Sequence, residues 1–507
     1  MAGGAVRQQA ATLLEQLGVL PLLALIALGA VSALLGPVLF ATMLVGIIGA
    51  LVVAARPPLG VATIMLLLMV QYGARRYERE GVAGLTDLLP QGTGLLTVNN
   101  LLGVFLALLL AYHLYRDGDW SFLKSRQLQL VLLITLALMF SAFVSGIDET
   151  DQAALGLQAT TAQHPLRLLV SRALLLVLFV FFVRQPRDLR LIVALFVALA
   201  LTTAWSGSGA AITGAGRAEV STYRAGGVEV LIESTQNPNR LALVCTLALV
   251  FIWEYSQAHR LRRWRWAALA AVMLLVVTVF LSASRGGLIG MAVTGLMLFV
   301  RRRGGSGRLL YAGAAVLIAA MLVQEVVPEQ ALERITNIPG ISRSESMAGE
   351  GSLERRAYTY QIGVEIWKKA PLVGVGPGNW SYVRFITDPL RSAAAAHNSY
   401  LAALAEGGIV SLVLYLVLFY VTIRDLLRLE RSPAIVAQAR ADGLEWLMAA
   451  TRICLVAVLV FSLFADLWDH VFSYFLHALA AVMLQRYQPV PAAALARYRS
   501  APAALPA

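Results

Sequence analysis

The chain is dominated by apolar runs of about 16–20 residues that recur along almost its whole length. A helix of about 20 residues crosses the roughly 30 Å hydrocarbon core of a bilayer. Because lipid offers the backbone no hydrogen-bonding partner, such runs must be helical to satisfy their own peptide groups. Of the 507 residues, 59% are hydrophobic and only 14% are charged, too few to give a soluble protein its polar surface. We therefore predict an all-α polytopic membrane protein.

We expect about 12–14 transmembrane helices. The first apolar run is interpreted as an uncleaved span, because a second run follows it almost at once. Cys245 and Cys454 both fall inside apolar runs, so no disulfide framework is predicted. The candidate spans lie near 17–34, 37–55, 59–74, 98–114, 128–145, 168–183, 191–206, 239–256, 267–283, 287–300, 309–327, 407–423, 446–465 and 471–485.

The net charge of +12 is concentrated in alternate connections between these spans. In a soluble protein such a charge would suggest nucleic acid, but basic connections on one side of a membrane protein mark its cytoplasmic face. We therefore place both termini in the cytoplasm and expect no nucleic-acid partner. The basic clusters are Arg116/Lys124/Arg126, Arg184/Arg187/Arg190, Arg260/Arg262/Arg263/Arg265, Arg301/Arg302/Arg303/Arg308, Arg424/Arg428/Arg431/Arg440 and the tail residues Arg486, Arg497 and Arg499.

The opposite, external face receives one long connection, residues 328–406. Connections of that length are usually functional or disordered, and a disordered linker would not carry so many aromatic residues. The segment Leu353–Lys369 is compatible with a helix that Pro371 ends. We predict a folded cap, which divides the chain into spans 1–327, cap loop 328–406, and spans with a cytoplasmic tail 407–507. The aromatic residues are Tyr358, Tyr360, Trp367, Trp380, Tyr382 and Phe385.

Arg285 stands between two apolar runs, in Leu281-Ser-Ala-Ser-Arg-Gly-Gly287, with almost no loop to expose it. One interpretation is an interfacial arginine whose side chain reaches lipid headgroups. The other is a phosphate-binding residue, because a guanidinium group grips phosphate through two parallel hydrogen bonds. Arg217 and Arg224 precede the eighth span on the same external face, so they are further candidates for an anion site.

His397 lies just before the apolar run that follows the cap loop. A lone histidine in a loop is usually a surface or hydrogen-bonding residue, but an imidazole also titrates in the range that general bases use. No second histidine or cysteine stands at ligand spacing from it, so we predict no zinc site. Asn237-Pro-Asn239 is typical of a turn and helix cap. Asn398 is a candidate either to orient the His397 ring or to cap the next helix.

The order of motifs between about 215 and 420 resembles the O-antigen ligase and polymerase superfamily of bacterial envelopes. The resemblance covers less than half of the chain, and the first 190 residues match only as generic apolar spans. Its pieces are Arg224-Ala-Gly-Gly, Asn237-Pro-Asn239, Ser284-Arg-Gly286, Arg355/Arg356 ahead of Trp367, Pro371 through Gly378, and His397-Asn-Ser-Tyr-Leu with Glu406-Gly-Gly.

The resemblance implies a multi-pass protein of the bacterial inner membrane, with a fold like that of GT-C glycosyltransferases and a site facing the periplasm. It implies an inverting, metal-independent transfer of glycan from undecaprenyl diphosphate to an acceptor hydroxyl, without cofactor, and most closely the ligation of O-antigen to lipid A–core. His397 would be the base, with Glu365 and Glu406 as alternatives. Arg285 and Arg224, with Arg217 in reserve, would bind the diphosphate, and Asn239, Asn398, Arg355 and Arg356 would be secondary residues.

Other functions remain open from the sequence. A glycan polymerase or a protein O-oligosaccharyltransferase of the same fold would share these motifs, since the acceptor is chosen by the shape of the cap. A lipid or glycan transporter would place ionisable residues near the middle of broken helices. The spans are instead mostly apolar, with four exceptions near their ends or interfaces: Arg172, Arg240, Arg452 and His477.

Overall fold

The computed structural model describes residues 49–65, 98–145, 165–210, 238–259, 264–301, 347–387, 396–468 and 470–487. The chain divides into two compact units, Met1–Gly60 and Val61–Ala507. In the first unit, the described residues 49–60 are helical except at Arg56. All that follows concerns the second unit.

The described part of the second unit is helical and contains no strand. Residues 61–65 are helical, and a 3-10 turn covers Ser121–Lys124. The helices are α1 (Val98–Asp117), α2 (Arg126–Ser145), α3 (Pro165–Phe182), α4 (Pro186–Ala210), α5 (Pro238–Ala258), α6 (Arg265–Leu281), α7 (Arg285–Val300), α8 (Met347–Lys369), α9 (Trp380–Thr387), α10 (Ser399–Arg431), α11 (Pro433–Ala441), α12 (Glu445–Phe461) and α13 (Val471–Arg486).

Four described helices are long and apolar enough to cross a membrane: α2, α4 over Pro186–Ser208, α5 and α10. The pair α11 and α12, bent by 110° at the turn between them, would make a fifth. Val170–Phe182 of α3 and the helices α6, α7 and α13 are shorter apolar helices. The protein is therefore an all-α polytopic membrane protein, as the sequence predicts. The predicted spans near 17–34 and 309–327 lie outside the described residues, so the total of 12–14 stays a prediction.

The interior is built around α5, which packs against α4, α6, α7 and α12. Helices α12 and α13 are buried along nearly their whole length, as expected of helices surrounded by other helices. The outer helix α2 instead exposes large apolar side chains, including Leu136, Phe140 and Phe143. An exposed apolar surface of this kind is stable in contact with lipid, where water would penalise it.

Ion pairs join four helices at the end of the bundle that the sequence predicts to be cytoplasmic. Glu430 of α10 accepts hydrogen bonds from Arg301 at 2.5 Å and from Arg452 of α12 at 2.7 Å. Arg301 also lies 3.7 Å from Glu254 of α5. His477, another ionisable residue within an apolar span, forms a hydrogen bond with Thr422, with 3.1 Å between Nδ1 and Oγ1. Arg452 and His477 are thus explained by packing among helices.

Helices α8 and α9 lie within the segment 328–406 that the sequence predicts to be a cap. Helix α8 begins at Met347, six residues before the predicted start, and the indole of Trp367 donates to Pro371 O at its end. Residues 371–378 then pack against a kink in α10 at Gly408, where φ is 67° and ψ is −173°. The amides of Val375 and Gly376 donate to the carbonyls of Ala405 and Glu406, both at 3.0 Å. Two motif pieces distant in sequence therefore meet at one joint.

Helix α10 begins at Ser399, eight residues before the predicted span 407–423. Its first two turns belong to the predicted loop, and the kink at Gly408 separates them from the apolar part. The added length comes from a cap: the Oδ1 of Asn398 accepts hydrogen bonds from the amides of Tyr400 and Leu401 at 2.9 and 3.0 Å. A polar cap before an apolar run extends a helix beyond the hydrophobic segment.

Candidate active site

Arg285 is the first residue of α7 and is half-buried. The connection from α6 is only three residues long, and Ala283 within it adopts φ 49°. Ser284 caps α7, since its Oγ accepts a hydrogen bond from the Gly287 amide at 2.8 Å. The first amides of a helix have no partner within it. Arg285 therefore places a guanidinium group beside a helix N-terminus, which itself favours negative charge.

Asn239 ties this connection to the rest of the bundle. Its Oδ1 accepts a hydrogen bond from the Ser284 hydroxyl, and its Nδ2 donates to Phe464 O at 2.8 Å. Gly286 lies against Phe464 so closely that a Cβ would come within 2.6 Å of that ring. Asn239 is thus an interhelical bridge, and Asn237, the predicted cap of α5, lies outside the described residues.

His397 is exposed and adopts φ 50°, a left-handed conformation uncommon for residues other than glycine. Its neighbours hold it there: Ala396 is buried, and Asn398 caps α10. Ser399 then accepts a hydrogen bond from the Leu467 amide and donates to Ala465 O, both at 2.8 Å. The imidazole therefore projects from a fixed segment of backbone.

One short connection, residues 462–470 between α12 and α13, joins the two segments. The carbonyl oxygen of Phe464 accepts a hydrogen bond from the side-chain amide of Asn239, and that of Ala465 accepts one from the Ser399 hydroxyl. The Ser399 amide also donates to Ser462 O at 2.8 Å. The turn before Arg285 and the segment after His397 are consequently fixed to adjacent residues of the same connection.

The alternative bases occupy other places. Glu406 is buried, and its Oε1 accepts the Trp380 amide at 3.3 Å, so it stabilises the start of α9. Glu365 is exposed on α8 and pairs with Lys368 at 3.0 Å. Arg355 and Arg356 lie in α8, but their side chains are outside the described part, as are Arg217 and Arg224. Within the described ranges no group of three or more acidic, histidine or cysteine side chains forms a candidate metal site.

The connection 462–470 was missed by sequence reasoning, which treated it only as a gap between the last two spans. It carries Asp466 and His470, and Arg240 of α5 donates to Asp466 O at 3.0 Å. The available signal was the placement of three ionisable residues, Asp466, Asp469 and His470, in so short a connection. Arg240, which the sequence analysis noted only as an ionisable residue in an apolar span, is thus bonded to this connection.

The comparisons with known proteins agree with this architecture. Residues 269–416 match the model of a family described as O-antigen ligase, a segment that runs from α6 through both Arg285 and His397 into α10. A search of curated proteins gave no match. Residues 269–416 are therefore similar to the O-antigen ligase family.

Proposed function

We propose that this protein transfers a glycan from undecaprenyl diphosphate to an acceptor hydroxyl at the periplasmic face of the bacterial inner membrane. The match of residues 269–416 to the O-antigen ligase family supports a glycosyl-transfer enzyme in general. The observation that carries the proposal is the fixing of the Arg285 and His397 segments to adjacent residues, Phe464 and Ala465. A site for this reaction requires an anion-binding group and a base held in one arrangement.

Arg285 would stabilise the leaving diphosphate. As the bond between the sugar C1 and the phosphate oxygen breaks, its electron pair passes to the diphosphate, whose negative charge increases. A guanidinium group and helix amides held in place before the reaction stabilise this charge without reorganisation. Arg224, with Arg217 as the reserve candidate, would contribute from the segment before α5, and Arg355 and Arg356 from α8.

His397 would act as the base. Its imidazole would accept the proton of the acceptor hydroxyl while the hydroxyl oxygen attacks C1 from the face opposite the diphosphate, with inversion. General bases contribute about 10²–10⁴-fold to such reactions. The exposed position of His397, where the cap returns to the membrane, is accessible to an acceptor from the aqueous side, while the carrier would remain in the lipid.

The proposed product is O-antigen joined to lipid A–core. The deciding experiment identifies the lipid-linked glycan that accumulates when the gene is deleted. Unmodified lipid A–core together with a surplus of long, carrier-linked polymer would support ligation. Carrier-linked single repeat units would contradict it and favour a polymerase. Intact lipopolysaccharide with an unglycosylated protein would instead favour a protein O-oligosaccharyltransferase.

A further inference from the structure

The start of α6 carries an exposed aromatic and basic surface, Trp264, Arg265 and Trp266, which we name the α6 patch. The two tryptophans are 63% and 66% exposed, and the arginine between them is exposed as well. The guanidinium group of Arg265 lies 5.0 Å from the centre of the Trp266 ring. Exposed indoles are costly in water, but the boundary between lipid and water offers them both apolar and polar contacts.

The packing of α6 shows which surroundings the patch meets. One face of the helix packs against α4 and α5. On the other face, Trp266, Leu269 and Met273 are exposed at spacings of three and four residues, which form one apolar stripe. The 17 residues of α6 extend about 25 Å at the rise of an α-helix, slightly less than the roughly 30 Å hydrocarbon core. The patch at the end of this stripe therefore lies where acyl chains meet lipid headgroups.

The sequence around the patch is strongly basic. Arg260, Arg262 and Arg263 stand directly before it, and no Asp or Glu occurs between Glu254 and Glu325. The three arginines lie outside the described residues, so only their charge enters the argument. Several arginines directly beside an apolar helix are typical of a surface that attracts anionic lipids.

The carboxylates on the helices around α6 lie beside other arginines. Helix α4 has one, Asp188, which lies 3.9 Å from Arg187. Helix α5 has one, Glu254, which lies 3.7 Å from Arg301, and α7 has none. Among the described residues, Arg265 contacts the Trp266 ring and forms no ion pair with a carboxylate. Its exposed charge is therefore accessible to lipid headgroups.

We propose that the α6 patch binds the headgroup of an anionic phospholipid of the surrounding bilayer. Arg265 donates hydrogen bonds to the phosphate oxygens, while the two indoles lie between the headgroups and the upper acyl chains. A zwitterionic headgroup carries its own cation beside the phosphate, so the charge of the patch favours a lipid with net negative charge. This inference is independent of the reaction proposed for Arg285 and His397.

The test measures which lipid lies beside the patch. A small fluorophore is attached to Ala267→Cys, an exposed position of α6, in a protein that lacks Cys245 and Cys454. The protein is reconstituted into vesicles of four parts phosphatidylcholine and one part phosphatidylglycerol. Brominated acyl chains, which quench nearby fluorophores, are placed on the phosphatidylglycerol in one sample and on an equal amount of the phosphatidylcholine in the other.

We expect brominated phosphatidylglycerol to quench the fluorophore more strongly than brominated phosphatidylcholine. Arg265→Gln should weaken this preference by up to about fivefold, the effect of one arginine near an anionic membrane surface. Arg265→Lys keeps the charge and should retain most of the preference. Arg428→Gln is the matched control, because Arg428 is an exposed arginine of α10 that lies 3.3 Å from Asp425, and it should leave the preference unchanged.

Equal quenching by the two lipids would overturn the proposal, and so would a preference that Arg265→Gln leaves intact. No quenching by either lipid would show that the patch does not reach the acyl chains. Should Arg265→Gln fail to fold, the salt dependence of the labelled parent protein decides. Between about 0.1 M and about 1 M salt the Debye length falls from about 10 Å to about 3 Å. A preference that declines over this range supports the proposal, and one that persists unchanged contradicts it.

Discussion

The hydroxyl of Ser284 donates a hydrogen bond to the side-chain oxygen of Asn239, which joins the start of α7 to the start of α5. Asn239 also donates a hydrogen bond to Phe464 O. The conformation of the turn before Arg285 therefore depends on a residue 46 positions before Arg285 and on the segment 462–470 near the end of the chain. Neither partner needs to touch a substrate for this bridge to position the site.

Asn239→Ala should therefore weaken both folding and activity. It removes two interhelical hydrogen bonds and leaves Phe464 O and the Ser284 hydroxyl without this partner, at a cost of about 1–3 kcal/mol. The expected result is a lower apparent melting temperature in detergent together with slower glycan transfer. Ser256→Ala is the matched control, since the Ser256 hydroxyl donates to Trp253 O within the same helix, α5. If the two variants melted alike, the bridge would not contribute to stability.

The joint between cap and bundle gives a second prediction, for Gly408→Ala. Gly408 has a positive φ, and a Cβ there would lie 2.2 Å from Leu372 O. Because backbone must move to admit the methyl group, we expect marked destabilisation and loss of the cap's position. Protease sensitivity of the cap and thermal melting would measure both. At Gly295 in α7, an added Cβ would have no atom within 4 Å, so Gly295→Ala should leave thermal stability unchanged or raise it slightly. Equal effects of the two changes would contradict this account.

The topology is tested by labelling single cysteines in a background that lacks Cys245 and Cys454. Glu345→Cys lies in the predicted external loop 328–406, whereas Ala437→Cys lies on α11, beside the basic residues that predict the cytoplasmic side. In intact cells with a permeabilised outer membrane, an impermeant thiol reagent should label position 345 and leave position 437 unmodified. The reverse pattern would invert the assignment of both faces.

Arg285→Lys should be nearly as damaging to transfer as Arg285→Ala. Lysine keeps the positive charge but loses the planar pair of donors that fits a diphosphate. The measurement is glycan transfer by purified protein, with Arg428→Ala as a control, because Arg428 is an exposed arginine of α10. Near-normal transfer by Arg285→Lys would make Arg285 a general electrostatic or interfacial residue. The same pair of substitutions at Arg224 and Arg217 would show which of these belongs to the site.

Hydrophobic periodicity and loop length were sufficient to predict the helical membrane fold and most described helix positions. The helix over 353–369 and the short connection before Arg285 are confirmed in position. Helix ends such as Ser399 were less predictable, because the Asn398 cap extends a helix past its apolar run. The role of residues 462–470 was not predictable, since their contacts with Asn239 and Ser399 join residues that lie far apart in the sequence. Local pattern carries no information about such partners.

The central claim is that His397 removes the acceptor proton, and the rate of glycan transfer by His397→Asn tests it most directly. Asparagine tolerates the left-handed backbone found at φ 50°, so this variant removes the imidazole without adding backbone strain. The assay supplies purified enzyme with undecaprenyl-diphosphate-linked glycan and lipid A–core. The account predicts unchanged melting and retained carrier binding, with turnover reduced by about 10²-fold or more. Turnover above about a tenth of the wild-type rate would contradict the account. It would mean that Glu365 or Glu406 is the base, or that the hydroxyl attacks without one.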